Sequence, residues 1–119
     1  MKLIRNTKFL EEFNKFVGRD FLVGIEFGGA ILAAMNMTSR HNNQIAMIRK
    51  DGTICGNLIP KSYVLLDDVI TTENSVRRAM EQLYKQIGKY PDEVKCIVDR
   101  RYKKNKLLHI ESMLEWNEE

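Results

Sequence analysis

Apolar residues occur along this chain in two patterns, short continuous runs and longer runs at helical spacing. The continuous runs predict buried strands at residues 21–25, 44–49, 63–66 and 94–98, with a fifth edge strand within 107–114. The helical spacing predicts helices over residues 8–17, 30–35 and 76–87. Because strands and helices alternate, right-handed crossovers and parallel pairing are expected. The predicted fold is α/β, a mostly parallel twisted sheet of about five strands flanked by helices.

Residues that start, stop or turn the chain support these boundaries. Thr7 is a candidate N-cap for the first helix, and Gly18 is suited to end it. Gly88 is likewise suited to end the third helix. Asp51-Gly52 is a turn signal after the second strand.

Composition limits the class of protein. With 119 residues, 44% of them apolar, the chain is expected to form one domain over residues 1–119. The 19 basic and 16 acidic residues give a net charge of +3, which does not by itself indicate a nucleic-acid partner. No stretch is long enough to span a membrane and the N-terminus lacks the apolar core of a signal peptide, so a cytoplasmic location is expected. Cys55 and Cys96 are interpreted as two reduced thiols.

The segment from Val64 to Val76 combines a strand, two carboxylates, a hydroxyl-rich turn and a helix start. Asp67 and Asp68 follow the apolar run, at the strand end where open α/β sheets bind ligands. Thr71-Thr72 precedes the helix, so the N–H groups of residues 72–76 are candidates to bind an anion. Carboxylates suit a diol or Mg²⁺, and the turn suits a phosphate. Together they predict a site for a phosphorylated sugar.

This segment resembles the phosphoribosyl diphosphate (PRPP) signature of type I phosphoribosyltransferases, in which two acids follow four apolar residues and a Thr- and Gly-rich loop opens a helix. The resemblance implies that Asp67 and Asp68 hold the ribose, with Mg²⁺ bound mostly through the ligand. It implies that the turn holds the 5-phosphate through Thr71, Thr72, Glu73, Asn74 and Ser75.

A second match is the glycine turn that follows the first strand. By resemblance, Glu26, Phe27, Gly28 and Gly29 correspond to the pyrophosphate-binding loop of the family. Glycines there allow a ligand to approach the backbone closely. The loop precedes the PRPP signature by one crossover, which is the family order.

A third match favours the orotate branch of the family. Asp99-Arg100 resembles a strand-end pair in orotate phosphoribosyltransferases, in which the arginine meets the carboxylate of orotate. Arg100 would then bind the base, with Asp99 as its support. Arg49-Lys50 also resembles that branch, which makes Lys50 a further candidate on the PRPP side. Taken alone, Asp99-Arg100 is nearly as compatible with a strand-terminal arginine in solvent.

Three departures from the family bear on catalysis. Glu73 stands where the family usually has Gly: facing a phosphate it would repel the ligand, and facing outward it would favour the helix N-terminus. We expect the outward orientation. The family's long mobile loop, which carries Lys and His, is replaced here by residues 51–62. This segment contains no His, and its one Lys is Lys61. The N-terminal hood is reduced to the helix at residues 8–17.

Other polar segments carry weaker signals. His41 and His109 have no Cys, Asp or Glu at a metal-ligand spacing and are interpreted as surface residues. The basic run 100–106 is interpreted as a solvated turn, the alternative being contact with phosphates of RNA or of a ligand. Trp116 is a candidate contact with a partner subunit.

These matches predict a small phosphoribosyltransferase-like protein that binds PRPP and Mg²⁺ and transfers ribose 5-phosphate to a nucleobase, with orotate favoured. The alternative is a non-catalytic module on the same fold that binds PRPP or a nucleotide, or that regulates a partner. A homodimer is expected; membrane and nucleic-acid partners are not.

Overall fold

A computed structural model describes residues 7–18, 20–40 and 44–116. Within these residues the helices are α1 (Thr7–Val17), α2 (Gly28–Arg40) and α3 (Asn74–Ile87). The strands are β1 (Leu22–Ile25), β2 (Ile45–Ile48), β3 (Ile54–Gly56), β4 (Val64–Ile70), β5 (Glu93–Asp99) and β6 (Glu111–Glu115). The three predicted helices and five predicted strands are all present. His41 lies outside the described residues.

The strands form one sheet in the order β3-β2-β1-β4-β5-β6. All neighbouring pairs are parallel except β2 and β3, which are antiparallel. The predicted mostly parallel sheet is confirmed, but it has six strands, one more than expected. The additional strand, β3, has only three residues and pairs with β2 through a turn at Gly52, whose φ is 90°.

Helices cover both faces of the sheet. Helices α1 and α2 pack on one face around Phe13, Leu32 and Leu66. Helix α3 packs on the other face, where Val76 and Leu83 meet a second buried cluster. Burying a side chain of this size stabilises the fold by about 1.5–3 kcal/mol. No helix in the described residues combines the length and the apolar character needed to cross a membrane.

Helix α1 is joined to its surroundings by buried polar groups. The Asn36 amide donates to Asn14 Oδ1 (2.9 Å), and the Asn14 amide donates to Ser39 Oγ (3.0 Å), which ties α1 to α2. At the C-terminal end of α1, Lys95 Nζ donates to the Phe16 carbonyl (2.7 Å). A lysine there satisfies a carbonyl that the helix itself leaves unpaired.

The pairing of β4 changes halfway along its length. Pairing with β1 ends at Leu66, whereas pairing with β5 continues from Val64 to Ile70. Asp67 and Asp68 therefore lie inside β4, not at its end as predicted. Because β1 has already ended, these two residues still lie at the carboxyl edge of β1, where the chain turns into α2.

Candidate functional site

The two loops predicted to bind the ligand lie side by side. A Cβ on Gly28 would collide with the Asp68 carboxylate, and a Cβ on Gly29 would collide with the Leu66 carbonyl of β4. Only glycine allows α2 to start this close to β4. The structure thus brings the candidate pyrophosphate loop and the candidate ribose carboxylates together at one edge of the sheet.

The two candidate carboxylates have different environments. Asp67 is 9% exposed, and its Oδ1 accepts the Asp68 N–H at 2.9 Å, whereas Asp68 is exposed and its Oδ1 accepts the Val69 N–H at 2.7 Å. Burial, followed by the adjacent Asp68, raises the pKa of Asp67 to about 7. The pair therefore presents one carboxylate to solvent and one acid that exchanges its proton near neutral pH.

The turn at residues 71–75 leads into α3. Thr71, Thr72, Asn74 and Ser75 are exposed, and Thr72 Oγ1 accepts the Asn74 N–H at a long 3.4 Å. Glu73 is the N-cap residue, but its side chain makes no capping hydrogen bond. The first N–H groups of α3 are therefore not capped by the Glu73 carboxylate, which leaves a helix N-terminus of the kind that binds anions.

The expected outward orientation of Glu73 is wrong. Its side chain is 7% exposed, and Oε2 accepts from Arg101 Nη1 (2.6 Å) and from the N–H groups of Leu107 (2.8 Å) and Leu108 (2.9 Å). Its Oε1 accepts from Arg77 Nη2 at 2.7 Å. Burial acts to raise the pKa of Glu73, but these donors outweigh it and lower the pKa to about 2. Glu73 is therefore an ionised, fully hydrogen-bonded anchor.

Arg101 is a buried residue of this site that the sequence interpretation missed. It is 2% exposed, although the run 100–106 was expected to be a solvated turn. Asp99 was expected to support Arg100, but its carboxylate accepts from Arg101 Nε (3.0 Å) and Nη2 (2.8 Å) and pairs with Lys106 at 3.6 Å. Burial tends to raise the pKa of Asp99, and the Arg101 guanidinium more than offsets this, so that the pKa lies below its usual range.

Arg100 occupies the same edge of the sheet as Asp67 and Asp68. Its backbone N–H donates to the Ile70 carbonyl at 2.7 Å. Its guanidinium carbon lies 5.1 Å from the centre of the Trp116 ring. The backbone N–H of Trp116 in turn donates to the backbone carbonyl of Asp99 at 2.8 Å. Trp116 thus contacts the residue predicted to bind the base, within this chain.

Glu26 and Lys50 meet on the other side of the turn. Glu26 Oε1 accepts the Lys50 N–H at 2.8 Å, so the end of β1 is fastened to the end of β2. These two residues line a cleft with Ser75 and Arg78 of α3. Phe27, the next residue of the loop, is 65% exposed. Three basic residues, Arg49, Lys50 and Arg78, line this cleft together with the acid Glu26.

The donor set limits how a metal ion could bind. No group of three or more His, Cys, Asp or Glu side chains suited to a metal occurs in the described residues. Mg²⁺ commonly uses one or two carboxylates together with substrate phosphates, and Asp67 with Asp68 fits that mode. Cys55 and Cys96 are unpaired thiols.

Comparison with solved structures identifies the fold. The chain superposes on orotate phosphoribosyltransferase from Aeropyrum pernix with a TM-score of 0.67 and 20% identity, covering 89% of this chain and 68% of that one. On the Mycobacterium tuberculosis orotate phosphoribosyltransferase in complex with PRPP it superposes with a TM-score of 0.65 and 20% identity, covering 91% of this chain and 69% of that one. On adenine phosphoribosyltransferase from Thermoanaerobacter pseudethanolicus it superposes with a TM-score of 0.69 and 14% identity, covering 96% of this chain and 84% of that one. The chain has the type I phosphoribosyltransferase fold, which confirms the resemblance in its sequence.

Two curated proteins are similar to the chain in sequence. Transcriptional regulator GfcR 1 of Methanosarcina barkeri is 32% identical over 105 residues, spanning 77% of this chain and 50% of the regulator. Orotate phosphoribosyltransferase of Methanoculleus marisnigri is 30% identical over 106 residues, spanning 80% of this chain and 61% of the enzyme. The chain thus spans only about half to three-fifths of these relatives. No protein-family model matches it.

Proposed function

We propose that this chain binds PRPP with Mg²⁺ and transfers ribose 5-phosphate to a nucleobase, with orotate as the favoured base. The observation that carries the proposal is the junction of Gly28, Gly29 and Asp68, where the two candidate loops meet at one edge of the sheet. In this proposal Asp67 and Asp68 hold the ribose hydroxyls, and the turn at residues 71–75 holds the 5-phosphate.

The proposed reaction breaks the bond between the anomeric carbon and diphosphate and forms a bond to a base nitrogen. The residue 26–29 loop and Lys50 would hold the leaving diphosphate, while the turn and the carboxylates fix the sugar in line. Mg²⁺, held mostly by the ligand beside Asp67 and Asp68, would neutralise the charge that develops on the diphosphate.

The orotate assignment rests on Arg100. A guanidinium pairs a planar carboxylate through two hydrogen bonds, and Arg100 lies on the same edge as the ribose carboxylates. The 30% identity with an orotate phosphoribosyltransferase supports this choice over the purine enzymes, which share only the fold. The reduced thiols suit a cytoplasmic location, which is part of the proposal.

A homodimer is also part of the proposal. Phe27 and Ile31 are 65% and 58% exposed and lie one helical turn apart at the start of α2. Adjacent exposed apolar side chains of this size are typical of an association surface. A second subunit there would help to enclose the ligand edge that the short α1 leaves open.

The second candidate is a non-catalytic module that binds PRPP or a nucleotide and regulates a partner. Two observations favour it: the similarity to a transcriptional regulator, and the short β2–β4 connection, which includes β3 and has no His. A connection this short would not form a lid that closes over the site and excludes water. Ligand binding without turnover would distinguish this module from the enzyme.

The decisive experiment measures diphosphate release from PRPP and Mg²⁺ with orotate, adenine or hypoxanthine, together with calorimetric titration of PRPP. Asp68→Asn should weaken PRPP binding by about 1–3 kcal/mol, the scale of a lost charge-assisted pair. Glu81→Gln, the same loss of charge at an exposed position of α3, is the matched control. Equal PRPP affinity in parent and Asp68→Asn would contradict the assignment.

A further inference from the structure

The turn at residues 71–75 contains a carboxylate, that of Glu73, and basic side chains surround it. Glu73 pairs with Arg101 at 2.6 Å and with Arg77 at 2.7 Å. Arg101 also holds Asp99 (2.8 Å), which has Lys106 at 3.6 Å as a further partner. These five side chains carry three positive and two negative charges. Glu73 therefore belongs to a network of alternating charges, in which Lys106 also pairs with Glu115 at 3.4 Å.

Of the two arginines on Glu73, Arg101 is the one with no access to solvent. Side-chain exposure is 3% for Arg101 and 48% for Arg77. A buried pair is screened far less by water and salt than an exposed one. Arg101 is therefore the buried cation that faces Glu73; it is shared with Asp99 and lies 28 residues further along the chain.

We infer that Arg101 determines the anion affinity of the turn at residues 71–75 by neutralising Glu73, without touching the ligand. The inference rests on the proposed function, because it concerns a phosphate bound at that turn. A carboxylate left uncompensated at about 6 Å from a phosphate would weaken binding by about a hundredfold at an effective dielectric near 20. Arg101 removes this penalty and leaves the N–H groups of the turn to the ligand.

The same contacts hold a segment of backbone in place. Arg101 Nη1 donates to the Leu108 carbonyl at 2.8 Å, and the Leu107 and Leu108 N–H groups donate to Glu73. Loss of Arg101 could therefore change affinity through geometry as well as through charge. R101M and R101K separate the two effects, because both remove the guanidinium contacts and only R101M removes the charge.

The test is calorimetric titration with ribose 5-phosphate, at low and at high salt, on the parent and on R101M, R101K, E73Q and E73Q/R101M. We expect R101M to bind at least tenfold more weakly than the parent at low salt, with a smaller loss at high salt. R101K keeps the charge but loses the two-point contact of the guanidinium with Asp99, so it should bind more tightly than R101M. In E73Q/R101M the Glu73 carboxylate is gone, while Asp99 loses Arg101 just as it does in R101M, so affinity should rise from that of R101M toward that of E73Q.

A purely structural role predicts the opposite order. It would leave R101K as weak as R101M and make E73Q/R101M no better than R101M, and either result would overturn the inference. If R101M gives no cooperative thermal melt, R101Q and E73Q/R101Q replace that pair, because glutamine keeps a donor for Glu73. A parent that binds neither ribose 5-phosphate nor PRPP overturns the proposed function and the inference with it. Binding by the parent without rescue in the double variant overturns the inference alone.

Discussion

At the scale of single residues, Glu73 illustrates how burial turns a departure from a family pattern into a structural anchor. Its buried carboxylate accepts from the buried guanidinium of Arg101 and from the backbone N–H groups of Leu107 and Leu108. Removing one partner of a buried pair leaves the other charge uncompensated and costs about 3–5 kcal/mol. We therefore expect Glu73 to stabilise the fold through its charge.

Glu73→Gly should therefore lower the free energy of unfolding by about 3–5 kcal/mol, even though it restores the residue that the family usually has. Urea unfolding measures this change. The control is Glu81→Gly on the exposed face of α3, which should cost only about 1 kcal/mol, the helix penalty of glycine. Equal losses in the two variants would show that the contacts of Glu73 contribute little.

Asp67 gives the fold a pH dependence of known sign. Its pKa is raised from 3.8 to about 7, so the native state holds a proton that the unfolded chain releases at lower pH. This stability is fully present below pH 3.8 and is lost as the pH rises toward about 7. Thermal melts should show the parent losing stability relative to Asp67→Asn between those limits. Asp68→Asn, which removes the neighbouring charge but keeps the buried acid, should retain this dependence and shift it to lower pH.

At the scale of elements, the sequence pattern predicted every strand with a continuous apolar run and every helix with a regular apolar face. It missed β3, because Ile54-Cys55-Gly56 is too short to show a period and becomes a strand only by pairing with β2. It also missed the burial of Arg101, since one of its partners, Glu73, lies in a different loop. Local apolar patterns in the sequence predict helices and strands. Contacts between residues of different loops depend on how those elements are arranged in the fold.

The junction of α2 with β4 is where elements and site depend on each other most closely. Gly29→Ala would push a methyl group into the Leu66 carbonyl, so α2 must shift away from β4. We expect a loss of stability larger than that of Gly88→Ala and a loss of PRPP binding. Gly88 is the matched control because its Cβ would meet nothing within 4 Å, and its φ of 72° costs an alanine about 1–2 kcal/mol. Similar unfolding curves for the two variants, with PRPP bound equally, would contradict this account.

At the scale of the whole molecule, one edge of the sheet would bind two chemically different halves of the proposed reactants. The glycine loop, the carboxylates and the turn lie where β1 and β4 lead into helices, and these suit the phosphorylated sugar. Arg100 lies where β5 ends, one strand further along the same edge, and its N–H is fixed to Ile70 of β4. A change at Arg100 should therefore affect the base and leave the sugar phosphate alone.

Arg100→Ala should weaken orotate binding by about tenfold to a hundredfold, the equivalent of a lost bidentate charged pair, while ribose 5-phosphate binds as in the parent. The chain has one tryptophan, Trp116, and the Arg100 guanidinium lies 5.1 Å from its ring centre, so its fluorescence should report orotate binding directly. Lys103→Ala removes an exposed charge from the same segment and should alter neither ligand. If Arg100→Ala weakens both ligands alike, the arginine supports the edge as a whole. If the parent binds adenine or hypoxanthine in preference to orotate, the base assignment moves to the purines, and the edge retains its role for the sugar phosphate.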